Sequence, residues 1–459
     1  MPVAQQSLDF QVLDPGRRGW VRRWLQLGVL ALGLAGVFAV LLVTSRIPGS
    51  EDFFPWVDFF HIALVVHVDQ SVLIWFLGMA GVVGALLIPA DPRMRAAQAV
   101  GFFLCLIGTL GIALSAFLGE GAPLMNNYIP VLQRPLFFDM LLVFAVGIGV
   151  QTLLTIRAAL RTLRDDPENL TAWAGITFAA TVVIALSAIL TAWLQMPDEV
   201  TGQAYFEYLF WGGGHTLQFA YTQLVMFAWL LLAWHSGLQL PGRAHWYAGL
   251  FLVGLLPALL TPGIYLMHAT VTIESRNAFT YVMRYGGGLA VTPLGLLLAW
   301  SLYRGASAEP MQRPLRRALV MSMLLFFSGG LIALFISGLN TIIPAHYHGS
   351  IVGITLGLMG MAYLLLPRLG YSPVTGRLAD WQPWIYGFGQ LLHIAGLAVS
   401  GAMGIQRKTA GAAQGLDSLS AKAAMGVMGL GGLLAVIGGM LFVYVMLRAF
   451  WYGRRKQTR

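Results

Sequence analysis

The sequence contains very little cysteine and few charged residues. A single cysteine, Cys105, stands in 459 residues, inside an apolar run. One thiol excludes an intrachain disulfide, a CxxCH haem attachment and a cysteine-based metal cluster. Only 10% of the residues are Asp, Glu, Lys or Arg, against roughly 25% in soluble domains. This scarcity of charge excludes an ordinary soluble protein.

Apolar residues dominate what remains, at 58% of the chain, and the mean hydropathy is +0.73. A helix needs about 20 apolar residues to cross a bilayer, and runs of this length recur. We predict an all-α integral membrane protein, a bundle of twelve transmembrane helices. The expected spans are residues 24–46, 58–89, 95–118, 135–160, 171–195, 205–235, 245–268, 277–303, 317–339, 346–367, 383–404 and 423–450. Short loops predict one membrane domain over residues 1–459, with short cytoplasmic tails.

The net charge of +9 is explained by the membrane, not by nucleic acid. Arginines gather in alternate loops, and positive loops stay on the cytoplasmic side. The pattern predicts a multi-pass protein of a bacterial-type cytoplasmic (inner) membrane with both termini in the cytoplasm. The arginine-rich stretch before the first span has no small-residue cleavage site after a short apolar core, so no cleavable signal peptide is expected.

The segment Ala345-His346-Tyr347-His348 opens a long apolar run. Residues two apart on a helix project about 200° apart, so His346 and His348 face opposite sides. Ionisable side chains at the mouth of a span are seldom kept without a partner, and neutral imidazole is an axial ligand for haem iron. A helix with this pair could ligate two haems. The alternative for each is an interfacial histidine bonded to backbone or water.

Five histidines fall in the predicted outer half of the membrane: His67, His215, His268, His346 and His348. Scattered structural histidines have no reason to share a level, so this common depth predicts one constellation. Arg407 and Lys408 lie in an outer loop, against the charge trend of the other loops. Anionic haem propionates would explain this exception.

Twelve spans with these motifs resemble the catalytic subunit of the haem-copper oxidase superfamily, which includes the oxygen-reducing cytochrome oxidases and the nitric oxide reductases. The resemblance implies that His346 holds a high-spin catalytic haem and His348 a low-spin haem. The segment from His67 to Trp75 is similar to the second-helix motif whose histidine is the other ligand of the low-spin haem. Arg407 and Lys408 match a basic pair that clamps propionates. Two haems are therefore expected, one low-spin and bis-His, one high-spin.

The resemblance also implies a non-haem metal, copper or iron, opposite the catalytic haem. His215 and His268, 53 positions apart, match its ligands, but one histidine stands where the family has two in succession. Met267 occupies the neighbouring position, and a thioether suits Cu(I) better than iron. Met267 as a ligand, two protein nitrogens alone, or no metal at all remain alternatives. His215, His268 and His346 are the predicted catalytic residues.

The sequence departs from both subfamilies at Phe219. Oxygen reduction in the family relies on a tyrosine at this position, and nitric oxide reductases carry a glutamate there. Tyr221, six residues after His215, faces elsewhere on the helix, whereas Tyr281 on the eighth span is a candidate substitute for the tyrosine. No Lys or Glu lies inside the eighth predicted span, and a proton pump needs ionisable residues within its spans. This favours a non-pumping enzyme that takes protons from outside. Glu207 is either part of that route or a solvated carboxylate at the edge of a loop.

Coupling two nitric oxide molecules to nitrous oxide needs two electrons, two protons and no radical-forming tyrosine. We therefore predict a respiratory-chain oxidoreductase, an atypical nitric oxide reductase-like member of the superfamily. The alternatives are a terminal oxidase that reduces oxygen to water, and a haem-binding electron-transfer or gas-sensing membrane protein without turnover.

Electrons must come from a partner. The chain has no Cys-x3-Cys copper motif and no c-type haem motif. An outer-face subunit with a cupredoxin or cytochrome c domain is therefore expected. Membrane lipid is the other expected partner, and nucleic acid is not one.

Overall fold

A computed structural model of the chain describes residue 8 and residues 14–45, 58–89, 91–407 and 418–457. These residues form fifteen α-helices, one π-helical segment and one short hairpin. In chain order they are α1 (Pro15–Thr44), α2 (Phe59–Val68), the π-helical segment Asp69–Ile74, α3 (Trp75–Leu87), α4 (Pro92–Leu114), β1 (Pro123–Leu124), β2 (Val131–Leu132), α5 (Pro135–Asp165), α6 (Leu170–Leu194), α7 (Gly202–His235), α8 (Ala244–Leu259), α9 (Thr261–Met267), α10 (Ile273–Gly286), α11 (Val291–Arg304), α12 (Arg313–Ala333), α13 (Ile342–Arg368), α14 (Arg377–Ala402) and α15 (Leu419–Gln457).

Twelve segments of the described residues are long and apolar enough to cross a membrane. Nine are single helices, and three are composite: α2 with α3, α8 with α9, and α10 with α11. The all-α, twelve-span prediction is confirmed. The ends differ by several residues, because polar first turns continue a helix beyond its apolar core. In α1 the Asp14 side chain accepts the Arg17 backbone N–H at 2.9 Å, a helix start that hydropathy does not reveal.

The chain divides by its internal contacts into two units. One comprises Met1–Phe227 and Pro241–Ala299, and the other Ala228–Leu240 and Trp300–Arg459. The helices α7 and α11 continue from the first unit into the second. The expected single domain over residues 1–459 stays a prediction.

Helices of the first unit approach one another through small residues. A Cβ on Gly81 in α3 would lie 2.2 Å from the Trp24 ring of α1, and one on Gly108 in α4 would lie 2.8 Å from the Met140 carbonyl of α5. Small residues let transmembrane helices pack backbone to side chain, since lipid supplies no hydrophobic drive between them.

In the second unit, α12 and α13 approach each other closely, backbone to backbone. A Cβ on Gly349 would lie 2.6 Å from Gly329 Cα, and one on Gly329 would lie 2.4 Å from Ser350 N. Nearby, the Trp229 indole donates to Ser322 Oγ at 2.7 Å, and Ser322 Oγ donates to the Gly353 carbonyl at 2.6 Å. These bonds satisfy polar groups that would be costly in an apolar interior.

Arginines of the second unit bind carbonyl groups near helix ends. Arg316 donates to the Ser236 carbonyl at 2.5 Å and to the Ala306 carbonyl. Arg317 donates to the Asp380 carbonyl at 2.6 Å. A guanidinium can bind several carbonyls at once because it has five donors in a fixed plane.

We expect Gly349→Ala to destabilise the protein, because the added methyl group must separate α12 from α13. The overpacking should cost about 1–3 kcal/mol, measured as a lower midpoint of thermal unfolding in detergent. Gly330→Ala is the matched control, since a Cβ there has no atom within 4 Å. Equal midpoints for the two variants would contradict the tight approach.

Candidate functional site

His215 on α7 lies within a cluster of aromatic rings. Its ring centroid is 4.8 Å from those of Trp211 and Tyr128 and 6.0 Å from that of Phe279. The Nδ1 atom is 2.8 Å from the Trp211 carbonyl oxygen, and Nε2 is 2.9 Å from the Tyr128 hydroxyl. A carbonyl only accepts, so Nδ1 carries the hydrogen and the Tyr128 hydroxyl donates to Nε2. Both ring nitrogens are therefore engaged.

Three glycines before His215 make room for this cluster. A Cβ on Gly214 would lie 2.2 Å from Tyr128 Cγ, and one on Gly212 would lie 2.2 Å from the Tyr265 hydroxyl. A Cβ on Gly213 would meet Ile189 at 2.4 Å. A side chain at Gly212 or Gly214 would push an aromatic residue away from α7, and one at Gly213 would push Ile189 away.

Tyr128 belongs to the loop between α4 and α5, and a tight turn holds it. The Asn126 side-chain oxygen accepts the backbone N–H groups of Tyr128 at 3.2 Å and of Ile129 at 3.0 Å, an Asx-type turn. Glu207 of α7 accepts the Asn127 backbone N–H at 3.1 Å and also the Asn127 side-chain amide. Burial raises the pKa of the Tyr128 phenol, and the Glu207 charge raises it further. The phenol thus stays protonated and able to donate.

Arg134 ties the two ends of the same loop together. It is 3% exposed, and it donates to the Ser115 carbonyl at 2.5 Å and to the Gly121 carbonyl at 3.3 Å. Burial lowers the pKa of the guanidinium. Gly121 has a φ of +144°, and a Cβ there would lie 2.0 Å from the Gln133 carbonyl oxygen. The loop is closed on itself by these contacts.

His268 ends the helix that packs beside this cluster. The Thr216 hydroxyl of α7 and the Thr261 hydroxyl of α9 are 2.8 Å apart. His268 caps α9 in extended conformation and is half-buried. Met267 is 71% exposed, which argues against a buried thioether ligand there. In the described part of the chain no group of three or more His, Cys, Asp or Glu could hold a metal ion.

His67 of α2 is oriented by a neighbouring helix. Its Nδ1 is 2.8 Å from the Ala35 carbonyl oxygen of α1, so Nδ1 carries the hydrogen and Nε2 keeps its lone pair. The Ser71 hydroxyl donates to the His67 carbonyl at 2.7 Å. This bond lies where α2 passes into the π-helical segment, a feature often found at functional sites.

Asp69 is an acidic residue that sequence reasoning left without a role. It is 1% exposed, and neither carboxylate oxygen has a hydrogen-bond partner among the described residues. A buried ionisable group in a span is a functional candidate by default, and an acid inside an apolar run was a visible signal.

In the second unit, His346 and His348 both lie inside α13. His346 Nδ1 is 2.8 Å from the Gly329 carbonyl oxygen of α12, and His348 Nδ1 is 2.9 Å from the Pro344 carbonyl oxygen. The close approach of α12 at Gly329 is what brings its carbonyl to His346. The His393 ring centroid is 5.0 Å from that of His348, and His393 Nδ1 is 2.9 Å from the Met428 carbonyl oxygen.

Of the predicted propionate-binding pair, Arg407 lies within the described residues. Gln406 pairs with Asn340 in an antiparallel bridge, and the Arg407 backbone N–H lies 3.5 Å from the Leu339 carbonyl oxygen. The bridge holds this part of the loop next to the start of α13. Lys408 lies outside the described residues.

The residues present fit haem ligation. At His67, His346 and His348, Nδ1 faces a backbone carbonyl and therefore carries the hydrogen. Metal-binding histidines usually donate one ring N–H in this way, which fixes the tautomer and presents the other nitrogen. His67, His215 and His268 belong to the first unit, and His346 and His348 to the second. Their convergence on one constellation stays a prediction.

The phenol beside His215 comes from an unexpected segment. Tyr281 is 54% exposed and stacks on Tyr285, while Tyr221 packs edge-on against Phe76. Neither of these two tyrosines is bonded to His215. Tyr128 was missed because it stands 87 residues from the histidine. The run of three glycines before His215 was the signal that a bulky partner lies there.

Comparisons with known proteins agree with these observations. Residues 20–441 match the family described as Cytochrome C and Quinol oxidase polypeptide I. An uncharacterised protein of Rickettsia prowazekii (strain Madrid E) is 30% identical over 504 aligned positions, covering 94% of this chain and 95% of that protein. An uncharacterised protein of Aquifex aeolicus (strain VF5) is 30% identical over 363 positions, covering 79% of this chain and 88% of the other.

The fold is similar to that of a solved haem-copper terminal oxidase dimer, with a TM-score of 0.72 and 16% identity. The match covers 95% of this chain and 84% of that one. The family match and the fold thus define a multi-pass membrane oxidoreductase. The chain belongs to the cytochrome c and quinol oxidase polypeptide I family, the catalytic subunit I of haem-copper oxidases. Members of this family bind haems and a metal centre.

Replacing a ligand of the low-spin haem should remove its spectrum. We expect His67→Ala and His348→Ala each to abolish the low-spin absorption bands, because a bis-His iron needs both imidazoles. Reduced-minus-oxidised spectra of the purified variants measure this. His245→Ala, at an exposed position, is the control and should keep the wild-type bands. Low-spin bands that persist in either ligand variant would contradict the assignment.

Proposed function

We propose that this protein reduces nitric oxide to nitrous oxide at a high-spin haem and a non-haem metal, without pumping protons. The observation that carries the proposal is the shared geometry of three histidines. His67, His346 and His348 each direct Nδ1 to a backbone carbonyl, which makes Nε2 the nitrogen with the lone pair that a metal would need. Three imidazoles of this kind supply two axial ligands for a low-spin haem and one for a high-spin haem.

The two haems have different tasks in this proposal. A haem with two protein ligands only passes electrons, whereas one with a single protein ligand keeps an open position for a diatomic molecule. His67 and His348 hold the first, and His346 holds the second. His215 and His268 hold the non-haem metal, copper or iron. Arg407 and Lys408 bind the propionates.

Nitric oxide is favoured by the surroundings of His215. Phe219 stands on the same helix face as His215, and it is buried, so it offers neither the tyrosine nor the glutamate of the two subfamilies. The polar groups nearest to His215 lie towards the Gly202 end of α7, the predicted outer end. Glu207 accepts from Asn127, and the next residue in the chain, Tyr128, is bonded to His215. These polar groups support a proton supply from outside.

Oxygen reduction is the second candidate, and one observation favours it. The Tyr128 hydroxyl is 2.9 Å from His215 Nε2, so a phenol does contact the helix-seven histidine although Phe219 is not a tyrosine. The terminal oxidase with the similar fold points in the same direction. A third possibility is a haem protein that transfers electrons or senses gas without turnover.

The electron donor is proposed to be a separate subunit on the outer face with a cupredoxin or cytochrome c domain. Its expected position is near the ends of the spans that carry the five histidines. The proposed location is the cytoplasmic membrane of a bacterium, with both termini inside. Membrane lipid covers the apolar surface.

Carbon monoxide binding and turnover distinguish these functions. We expect the reduced protein to bind carbon monoxide, because the high-spin haem has an open position, and to consume nitric oxide faster than oxygen with an artificial donor. Difference spectra and gas electrodes measure the two properties. Binding without turnover of either gas would favour the electron-transfer or sensing role. No carbon monoxide binding, or faster oxygen consumption, would overturn nitric oxide reduction.

A further inference from the structure

His348 differs from the other two predicted haem ligands in the source of its hydrogen-bond acceptor. His67 and His346 each donate from Nδ1 to a carbonyl of a neighbouring helix, α1 and α12 respectively. The acceptor of His348 is the Pro344 carbonyl, 2.9 Å away and one turn earlier in α13 itself. This bond therefore fixes the His348 ring only relative to its own helix.

A ring from another helix contacts His348. The His393 ring centroid on α14 is 5.0 Å from that of His348, with 58° between the two ring planes. The Tyr347 ring is 4.9 Å away, but it belongs to α13 as His348 does. Rings in contact at these separations restrict each other's rotation. His393 is thus an aromatic contact through which a second helix limits the rotation of the His348 imidazole.

His393 is itself held by a third helix. Its Nδ1 lies 2.9 Å from the Met428 carbonyl oxygen of α15. A carbonyl only accepts, so Nδ1 carries the hydrogen and donates it. The backbone of α15 therefore fixes the ring that contacts His348.

Glycines bring α14 and α15 close enough for this bond. A Cβ on Gly396 of α14 would lie 2.4 Å from Met428 N, and one on Gly431 of α15 would lie 2.3 Å from His393 N. Small residues at such places let the backbones of transmembrane helices approach each other. The glycines thus place the Met428 carbonyl within reach of the imidazole.

We propose that His393 is a positioning residue that sets the plane of the His348 imidazole. The orientation passes from the Met428 carbonyl to the His393 ring, and from this ring to His348, across three helices of the same unit. His393 binds no metal in this role. The inference rests on the proposed function in one respect, that His348 is an axial ligand of the low-spin haem.

The measurement is the electron paramagnetic resonance signal of the oxidised low-spin haem. Its g values depend on the angle between the planes of the two axial imidazoles, because each plane orients the iron d orbitals. Contacts that orient a ligating histidine therefore act on the metal. A residue that only stabilised the fold would lower the midpoint of thermal unfolding and leave the g values of the folded protein unchanged.

The first variant removes the contact. In His393→Leu both the ring and the bond to Met428 are lost. We expect the low-spin haem to remain, since His348 keeps its own bond to Pro344, with its largest g value shifted and its line broadened. Phe388→Leu is the matched control, because it removes an aromatic ring from the same helix at a position that is 56% exposed. It should give the wild-type signal.

The second variant displaces the ring and keeps it in place of removal. A Cβ on Gly432 of α15 would lie 3.3 Å from His393 Nδ1, so the added methyl group in Gly432→Ala must push the imidazole slightly aside. We expect a smaller shift of the largest g value. Gly429→Ala in the same helix is the matched control, since a Cβ there has no atom within 4 Å.

The outcomes separate this inference from the proposed function. His393→Leu decides the question where it binds haem, and Gly432→Ala decides it otherwise. Shifted g values in the deciding variant, with the wild-type signal in its matched control, support the role of His393. The wild-type signal in the deciding variant, or the same shift in its control, overturns that role, and loss of the low-spin signal in His348→Ala then leaves the ligand assignment in force. A low-spin signal that persists in His348→Ala overturns both.

Discussion

The bond from a histidine Nδ1–H to a backbone carbonyl is the interaction on which the site depends. It recurs at His67, His215, His346 and His348, with Nδ1 to oxygen distances of 2.8 to 2.9 Å. A rigid backbone acceptor fixes the tautomer and the ring rotation together, and leaves Nε2 as the one atom with a lone pair. In a membrane interior, an imidazole rotated away from its carbonyl acceptor would leave a polar atom without a hydrogen bond, which costs free energy. The fold thus determines which nitrogen each histidine offers before any cofactor binds.

Small residues bring these acceptors into reach. Gly329 has no side chain, so α12 approaches α13 at Gly349 and its carbonyl meets His346. The glycines before His215 have the same effect on aromatic side chains, as Gly214 admits Tyr128. The same glycines therefore determine both how closely the helices pack and how the histidines are oriented. A methyl group added at either place acts on the helix contact first and on the imidazole through it.

The spans and the histidine motif could be predicted from the sequence, because hydropathy and motif spacing report local properties. Twelve apolar runs predicted the spans, and the His346-Tyr347-His348 motif predicted a helix with imidazoles on opposite sides. The acceptors could not be predicted, since Ala35 and Gly329 are apolar in sequence and contribute only a carbonyl. Tyr128 was missed for a related reason: a loop residue 87 positions away leaves no periodic signal. The three glycines before His215 do indicate that there is space beside this helix. They do not indicate which side chain fills it.

The central proposal is that the imidazoles oriented by these bonds bind two haems. Extraction of haem from the purified protein, with quantification per polypeptide, tests this most directly when combined with electron paramagnetic resonance of the oxidised sample. We predict two haems per chain, one of them giving a low-spin signal of bis-histidine ligation. A protein purified in folded form from haem-sufficient cells with one haem or none, or without a low-spin signal, would contradict it.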